Sequence, residues 1–479
     1  MTTKQNQSKD TPLYAQLGMQ FECTDVGNME RFIAHHQNKL RYVPEHKSWV
    51  VWDGGKWSHH KEADVFQMAL DTTRSIYDEA KICEIDEGRK KLTNWAYSSS
   101  SNHRINTMLA MSQRHKSLVT SINEFDRDKT KINCLNGIVD LKTGEITRQT
   151  ATDLVMKQMP AVYQRHARCP KFDKFLHDIF NGDTELIRYI QRALGYTITG
   201  QTTEQKFFIA YGTGANGKST LFETILHILG DYGRAAEFDT FLSQDYSNTR
   251  VMEGIAKLRG IRFAIASETD STRRFSEGLI KRVSGGDTLT GSHLYGSSFE
   301  FIPEFKLWLQ ANHVPMAKDG SHGFWRRIQV IPFARKFNKC EIDQNLLQRL
   351  IDEKTGVLAW LVRGAMDWFK HSELNHNGSG LGRCAAVEEA TAVYRSDHDL
   401  FGQFILDCLE DSPGATVAAG DLYEIYTNWC QNKGDQYPCG INIFGSRLQE
   451  RGVQKKRKNT GVVYLDKSLK DNKYTALDF

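Results

Sequence analysis

The stretch Lys206–Leu229, KFFIAYGTGANGKSTLFETILHIL, decides the fold of this 479-residue chain. Its apolar run Phe207–Tyr211 predicts a buried parallel strand, and the apolar residues of LFETILHIL recur at helical spacing. Between strand and helix, Gly212–Ser219 satisfies the pattern G-x-x-x-x-G-K-[ST], which requires a strand before it and a helix after it. Because further strand-like runs and helices alternate downstream, we predict an α/β core.

The chemistry of this loop follows from its residues. Glycines let backbone N–H groups turn inward around phosphates, and the following helix directs its positive end at them. Lys218 is expected to reach the β- and γ-phosphates, and Ser219 to offer its hydroxyl to Mg²⁺. The predicted ligands are therefore ATP and Mg²⁺, with a binding set of Gly212, Thr213, Gly214, Ala215, Asn216, Gly217, Lys218, Ser219 and Thr220.

A second predicted strand, Ile261–Ala266, ends in Ser267-Glu268, where the usual pair in such ATPases is Asp-Glu. We predict that Glu268 is the base for the attacking water and joins Ser219 at the Mg²⁺ site, with Asp270 as a helper. The alternative is that the Glu268 carboxylate only caps the next helix.

A third predicted strand, Phe305–Ala311, ends at Asn312, and Phe324-Trp325-Arg326-Arg327 precedes a fourth. Asn312 is interpreted as a sensor of the γ-phosphate, although an asparagine at a strand end can also be a turn former. Either Arg326 or Arg327 is interpreted as an arginine finger that acts on the nucleotide of a neighbouring subunit. The alternative for this pair is a salt bridge within the chain.

Composition limits the class of protein. With 62 Lys+Arg and 58 Asp+Glu the formal charge is only +4, yet Ser446–Lys470 holds eight basic and two acidic residues. That segment carries +6 and the remainder −2, which points to a nucleic-acid partner at one end of the chain. The polar start, the lack of any long apolar run and nine scattered cysteines favour a cytoplasmic protein with no membrane partner.

The tail is predicted to hold three helices, in Asp399–Glu410, Thr416–Gln431 and Ile441–Arg451, followed by the basic hairpin KKRKNTGVVYLD. Three helices and a two-stranded wing indicate a winged helix whose third helix faces a DNA groove. The alternative is a solvated basic surface. The predicted phosphate contacts are Arg447, Arg451, Lys455, Lys456, Arg457 and Lys458.

Taken together, these motifs resemble superfamily 3 helicases, and more narrowly the phage/plasmid primase-helicase family with its satellite-phage and poxvirus relatives. The resemblance is most specific between Asn136 and Phe337 and extends more loosely from about residue 20 to the C terminus. The segments that carry it are GNMERFIAHHQNKLRYVPEHKSWVVWDG, CLNGIVDLKTGEI, CPKFDKFLHDIFNGD, GYTITGQTTEQKFFIAYGTGANGKST, LRGIRFAIASETD, IKRVSGGDTLTGSHLYGSSFEFIPEFKLWLQANHVP and WRRIQVIPF.

The resemblance implies an AAA+ ATPase that assembles as a homo-hexameric ring, moves 3′ to 5′ on single-stranded DNA and opens forked duplex in replication. It implies a hairpin that projects into the central pore, with Lys281, Ser292, His293 and Tyr295 as DNA contacts, although a plain surface hairpin is the alternative. The implied divisions are an α+β domain in 1–135, a linker hairpin and helical collar in 136–200, the ATPase in 201–370, a linker in 371–396 and the winged helix in 397–479.

Two other functions compete with the motor. A priming enzyme needs a carboxylate cluster, for which the sequence before Asn136 offers only the pair Asp126 and Asp128 in a polar loop. An ATP-gated initiator would bind origin DNA and load another helicase with the help of replication proteins.

Overall fold

A computed structural model describes residues 20–59, 62–242, 249–267, 275–292, 297–312, 322–375, 379–433, 438–459 and 461–471. The chain divides into two compact units, Met1–Asp140 with Glu145–Tyr163 and Leu141–Gly144 with Gln164–Phe479. Among the helices of the described ranges, none is both long and apolar enough to cross a membrane. The domain ranges expected from the sequence stay predictions.

The first unit combines four helices with two small antiparallel sheets of order β1-β2-β3 and β4-β5-β6 in the described residues. Its elements are β1 (Leu40–Val43), β2 (Ser48–Trp52), β3 (Trp57–His59), β4 (Lys131–Cys134), β5 (Gly137–Asp140), β6 (Ile146–Thr147), α1 (Asp25–His36), α2 (Glu62–Ile82), α3 (Asp86–Ser99) and α4 (Asn102–Ser112). The turn between β2 and β3 is built on Asp53, because Asp53 Oδ1 accepts the N–H groups of Gly55 and Lys56, both at 2.8 Å.

The second unit contains the predicted α/β core. Its helices are α5 (Pro170–Ile179), α6 (Thr184–Ile198), α7 (Lys218–Leu229), α8 (Thr249–Ala256), α9 (Glu277–Gly285), α10 (His322–Trp325), α11 (Leu346–Ile351), α12 (Lys354–Leu374), α13 (Ala385–His398), α14 (Leu400–Cys408), α15 (Ala419–Asn432) and α16 (Ile441–Glu450). Its strands are β7 (Phe207–Tyr211), β8 (Gly233–Ala236), β9 (Phe263–Ser267), β10 (Leu289–Ser292), β11 (Ser298–Phe301), β12 (Lys306–Ala311), β13 (Ile328–Pro332), β14 (Leu409–Ala418), β15 (Lys455–Lys458) and β16 (Gly461–Leu469).

Five strands form one parallel sheet in the order β13-β7-β12-β9-β8. The three central strands are mostly apolar and buried because both faces of the sheet are covered, as in other parallel sheets. Phe208 and Trp308 stack with ring centroids 4.3 Å apart on neighbouring strands. The sheet order places β12 between two strands: β7, which precedes the predicted phosphate loop (Gly212–Ser219), and β9, which ends in Ser267. This insertion decides the geometry of the site.

Helices α6 and α12 cross at very short range in the second unit. A Cβ atom at Gly195 would lie 2.1 Å from the carbonyl carbon of Gly364, and one at Gly364 would lie 2.1 Å from the oxygen of Gln191. Glycine is therefore required at both positions for the two backbones to meet. Helices α5 and α6 lie within 136–200, the range expected to hold a helical collar, and the role of a collar stays a prediction.

The three predicted tail helices are present as α14, α15 and α16, and the basic hairpin is present as β15 and β16. A third strand, β14, pairs with β16, so the sheet has the order β14-β16-β15. The sequence did not predict β14, because its register shifts between Asp411 and Thr416, around Pro413-Gly414, and this breaks the alternation of apolar residues.

Candidate nucleotide-binding site

The loop between β7 and α7 has the backbone that a phosphate cradle needs. Gly214, Ala215 and Gly217 have φ angles of 45°, 48° and 84°. A Cβ at Gly212 would lie 2.4 Å from the oxygen of Phe333, and one at Gly217 would lie 2.5 Å from Cγ2 of Ile179. Gly212 and Gly217 therefore have to be glycine for the chain to turn here. Thr213, Gly214 and Ala215 are exposed, whereas Asn216 is buried, and Ser219 and Thr220 lie in the first turn of α7.

Lys218 is the central cation of this loop and is only 3% exposed. Its ammonium donates to the carbonyl oxygen of Gly212, to Asn216 Oδ1 at 3.2 Å and to Asn312 Oδ1 at 3.2 Å. Burial lowers the pKa of Lys218 from 10.5 to about 8, because a low-dielectric environment disfavours the charged form. An anion bound beside this ammonium would be strongly attracted to it.

The contact with Asn312 joins two residues that lie 94 positions apart in the chain. It forms because β12 lies directly beside β7, with Ala311 paired to Tyr211, so that both strands end at the same edge of the sheet. The structure thus brings the predicted sensor to the predicted phosphate-binding lysine. That the asparagine senses the γ-phosphate stays a prediction.

Gln310 was missed by sequence reasoning and lies in the same site. Its Nε2 donates to Ser219 Oγ at 2.5 Å, and its Oε1 accepts from Ser267 Oγ at 3.5 Å. A polar residue within the apolar run FKLWLQA was the available signal, because an amide at that position in a buried strand needs partners.

A pocket of about 680 Å³ opens beside Ser219, Ser267 and Gln310. Three carboxylate residues, Glu223, Glu237 and Asp239, contribute to its wall. Hydroxyl, amide and carboxylate oxygens suit a hard cation such as Mg²⁺, and the glycine-dependent loop with its buried lysine suits a polyphosphate. Glu268 and Asp270 lie outside the described residues, directly after Ser267.

Arg326 and Arg327 lie at the other edge of the sheet. They precede β13, whose Ile328 pairs with Phe207 at the start of β7. The length of β7, five residues or roughly 16 Å, separates them from the phosphate loop of their own chain. Arg326 is exposed and donates to Gln205 Oε1 at 2.5 Å, whereas Arg327 donates to the oxygen of Gly323 and leaves its buried Nε without a partner. Salt-bridge partners for either arginine are absent from the described ranges.

The predicted pore hairpin is represented by its stem, where Ser292 at the end of β10 pairs with Ser298 of β11. His293 and Tyr295 lie outside the described residues. Lys281 lies on α9, whose end is near Arg327: a Cβ at Gly285 would lie 3.7 Å from Nη2 of that arginine. Burial, and then the charge of Arg327, lower the pKa of Lys281.

The predicted DNA contacts of the tail differ in their exposure and in their contacts with other side chains. Lys455, Lys456, Arg457 and Lys458 form the edge strand β15 and are all exposed. Arg451 forms a half-buried ion pair with Asp399 at 2.7 Å, and its guanidinium carbon lies 5.4 Å from the ring centre of Phe401. Arg447 lies 5.8 Å from the same ring. The edge strand is thus an exposed basic surface, in which Lys458 donates to Thr416 Oγ1 at 3.3 Å, whereas Arg451 supports the fold.

Comparison with known proteins agrees with the motifs. Residues 29–181 match the family described as D5 N terminal like. The chain is 30% identical over 266 residues to "Putative helicase L207/L206" of Acanthamoeba polyphaga mimivirus, which covers 52% of this chain and 27% of that protein. It is 27% identical over 260 residues to "Putative helicase 022R" of Frog virus 3, covering 50% and 26%. "Putative primase C962R" of African swine fever virus is 21% identical over 287 residues, covering 57% and 28%.

This chain therefore spans about a quarter of the length of these curated relatives. Among solved structures, the apo NrS-1 C terminal region aligns over 91% of this chain and 98% of that chain, with 10% identity and a TM-score of 0.48. The motifs, the family match and the relatives agree, and together they support a primase-helicase family for this chain.

Proposed function

We propose that the chain is an ATP-dependent DNA helicase of superfamily 3, with an AAA+ core, that serves the replication of a virus, phage, plasmid or other mobile element. The observation that carries the proposal is the contact between Lys218 Nζ and Asn312 Oδ1 at 3.2 Å, made by the insertion of β12 beside the phosphate loop. It joins a phosphate-binding cation to a polar group that can report whether the γ-phosphate is present.

ATP displaces the present partners of the Lys218 ammonium, which then binds the β- and γ-phosphates. Ser219 holds Mg²⁺, which when bound neutralises developing charge on the phosphates. Asn312 orients the attacking water beside the γ-phosphate, and Glu268, which follows β9, accepts the proton of that water. Loss of the γ-phosphate returns Asn312 to Lys218, so the tip of β12 responds to hydrolysis.

The neighbouring subunit of the ring supplies a further positive charge to the nucleotide. Arg326 and Arg327 are too far from their own phosphate loop, so one of them acts on the nucleotide of the next subunit in a hexamer. The β10–β11 hairpin faces the pore, where Lys281, Ser292, His293 and Tyr295 bind single-stranded DNA, and the motor moves 3′ to 5′. The tail is a winged helix that binds DNA phosphates through β15.

Priming activity receives less support from the residues before Asn136. Asp126 Oδ1 accepts the N–H of Met156 at 3.1 Å, and Asp128 Oδ1 accepts the N–H of Thr130 at 2.9 Å. These carboxylates therefore shape loops, and the described residues contain no cluster of three or more His, Cys, Asp or Glu side chains placed to hold a metal ion. The helicase is the better proposal although one relative is named a primase.

Strand displacement by the isolated protein tests the proposal. The protein with ATP and Mg²⁺ is expected to open a forked duplex that has a 3′ single-stranded arm, and Lys218→Ala is expected to leave it closed. DNA-stimulated hydrolysis without duplex opening would favour the origin-binding loader instead. Primer synthesis on a single-stranded template that is lost in Asp126→Ala would favour the primase.

The basic edge strand has a separate test. Replacing Lys456 or Arg457 with Ala should lower the affinity for duplex DNA and reduce the slope of log affinity against log salt by about one per phosphate contact. Lys467→Ala is the matched control, because Lys467 of the adjacent strand is paired with Asp411. Equal effects of the three variants would contradict a specific DNA-binding role for β15.

A further inference from the structure

Gln310 occupies a position between two hydroxyl groups of the candidate site. It precedes the last residue of β12 and pairs with Ala210 of β7 on one side and Ser267 of β9 on the other. Its amide nitrogen is 2.5 Å from Ser219 Oγ, and its amide oxygen is 3.5 Å from Ser267 Oγ. One side chain therefore connects the phosphate loop to the tip of the strand that precedes Glu268.

This connection matters because of the residue at position 267. In P-loop ATPases the serine or threonine of the loop shares the metal site with an aspartate at the end of the second strand. Here that strand ends in the neutral Ser267, which cannot attract a cation as a carboxylate does. A hydroxyl that ligates Mg²⁺ through its oxygen still needs an acceptor for its proton, and Ser267 is 3.5 Å from the Gln310 amide that already contacts Ser219.

We propose that Gln310 is a positioning residue for the Mg²⁺ site, which orients the Ser219 hydroxyl in place of the carboxylate that position 267 lacks. Before the metal binds, Nε2 of Gln310 donates to Ser219 and fixes its rotamer. A half-turn of the amide presents Oε1, which would accept a hydrogen bond from the intact Ser219 hydroxyl and leave a lone pair of Oγ for the cation. The inference rests on the proposed function, since it assumes that Ser219 meets Mg²⁺ beside ATP.

The experiment measures binding rather than turnover. A fluorescent, non-hydrolysable ATP analogue is titrated onto the full chain without Mg²⁺ and then with Mg²⁺ raised from micromolar to millimolar. Gln310→Met keeps the volume of the side chain and loses its hydrogen bonds, so we expect half-maximal binding to need about fivefold more Mg²⁺, with Mg²⁺-free affinity within twofold of the wild type. Gln310→Glu keeps an acceptor oxygen and should need no more Mg²⁺ than the wild type.

Gln329→Met is the matched control. Gln329 lies on β13 of the same sheet and accepts a hydrogen bond from the Tyr189 hydroxyl at 2.7 Å, away from the loop. It should leave the Mg²⁺ requirement unchanged. The inference is overturned if Gln310→Met behaves like the wild type, if it weakens binding equally with and without Mg²⁺, or if Gln310→Glu is as impaired as Gln310→Met. A wild-type chain that fails to bind the analogue at all would overturn the proposed function as well, so the two failures are distinguishable.

Discussion

The two edges of the parallel sheet use cations in different ways. The amino edge is the edge at which the strands begin. There Lys306 donates to the carbonyl oxygens of Thr199, of Gln201 at 3.1 Å and of Glu304 at 2.9 Å. Arg262, at the same edge, donates to the carbonyl oxygen of Ile198 at 2.9 Å. Ile198 and Thr199 end helix α6, so these cations satisfy carbonyl groups that the helix leaves without a partner. At the carboxyl edge, Lys218 lies in a glycine loop where a helix begins.

The difference follows from the direction of the chain. Parallel strands all end at one edge, where helix N-termini present N–H groups and favour anions. The opposite edge receives helix C-termini, which favour cations. Arg326 and Arg327 differ from Lys306 and Arg262 in burial, because Arg326 is exposed and Arg327 half-buried, whereas Lys306 and Arg262 are each only 2% exposed. The comparison therefore predicts that the carboxyl edge serves the chain's own nucleotide and that the two arginines serve a neighbour.

The largest effect is expected for Lys218→Ala. Losing the buried ammonium removes both binding and transition-state stabilisation, so we expect hydrolysis to disappear and affinity for an ATP analogue to fall by roughly 10²- to 10³-fold. Analogue binding and phosphate release measure the two effects. Retained affinity in this variant would break the assignment of the carboxyl edge to the nucleotide.

The next largest effect tests the amino edge. Arg326→Ala and Arg327→Ala are made separately, and the variant that removes the finger should lower kcat by on the order of 10³ with unchanged analogue affinity. Mixed with Lys218→Ala, that variant should regain part of its hydrolysis, because some interfaces then combine an intact loop with an intact finger. A loss of activity that no mixing restores, in rings shown to be mixed, would indicate a role within the chain.

Asn312→Ala is expected to lower kcat by about 10²-fold with little change in analogue affinity, since it removes one oriented polar group. Mixing it with Lys218→Ala should restore nothing, because both residues belong to the same site of one subunit. Phosphate release from mixed and unmixed samples measures this contrast. Recovery in this mixture would contradict the pairing of Asn312 with Lys218.

The smallest effect concerns pH. Burial holds the pKa of Lys218 at about 8, and bound phosphates raise it, so binding takes up a proton above that pH. Affinity for the analogue should be flat below pH 8 and fall by up to tenfold per pH unit above it. The stability of the nucleotide-free chain changes with pH in the opposite direction. Because Lys218 has a higher pKa in the unfolded chain than in the folded one, the free energy of unfolding rises from about pH 8 toward 10.5. Titrations between pH 7 and 9.5 test this, and a flat profile would contradict it.

Local patterns predicted much of this molecule. The strand at Phe207–Tyr211, the loop and the helix from Lys218 all follow from residues near one another in the chain, and they form as expected. Strand β9 was expected at Ile261–Ala266 and lies at Phe263–Ser267, since strand ends depend on pairing with neighbours. Gln310 was missed because its partner Ser219 lies 91 positions away.

The sequence by itself determined the α/β core, the glycine loop between β7 and α7 and the basic character of the tail, because glycine geometry, apolar spacing and charge are local properties. Only the tertiary structure decided that β12 lies between β7 and β9, that Asn312 therefore meets Lys218, and that Gln310 joins Ser219 to Ser267. Strand order depends on which apolar faces pack together across the whole unit, and no spacing within one segment encodes it.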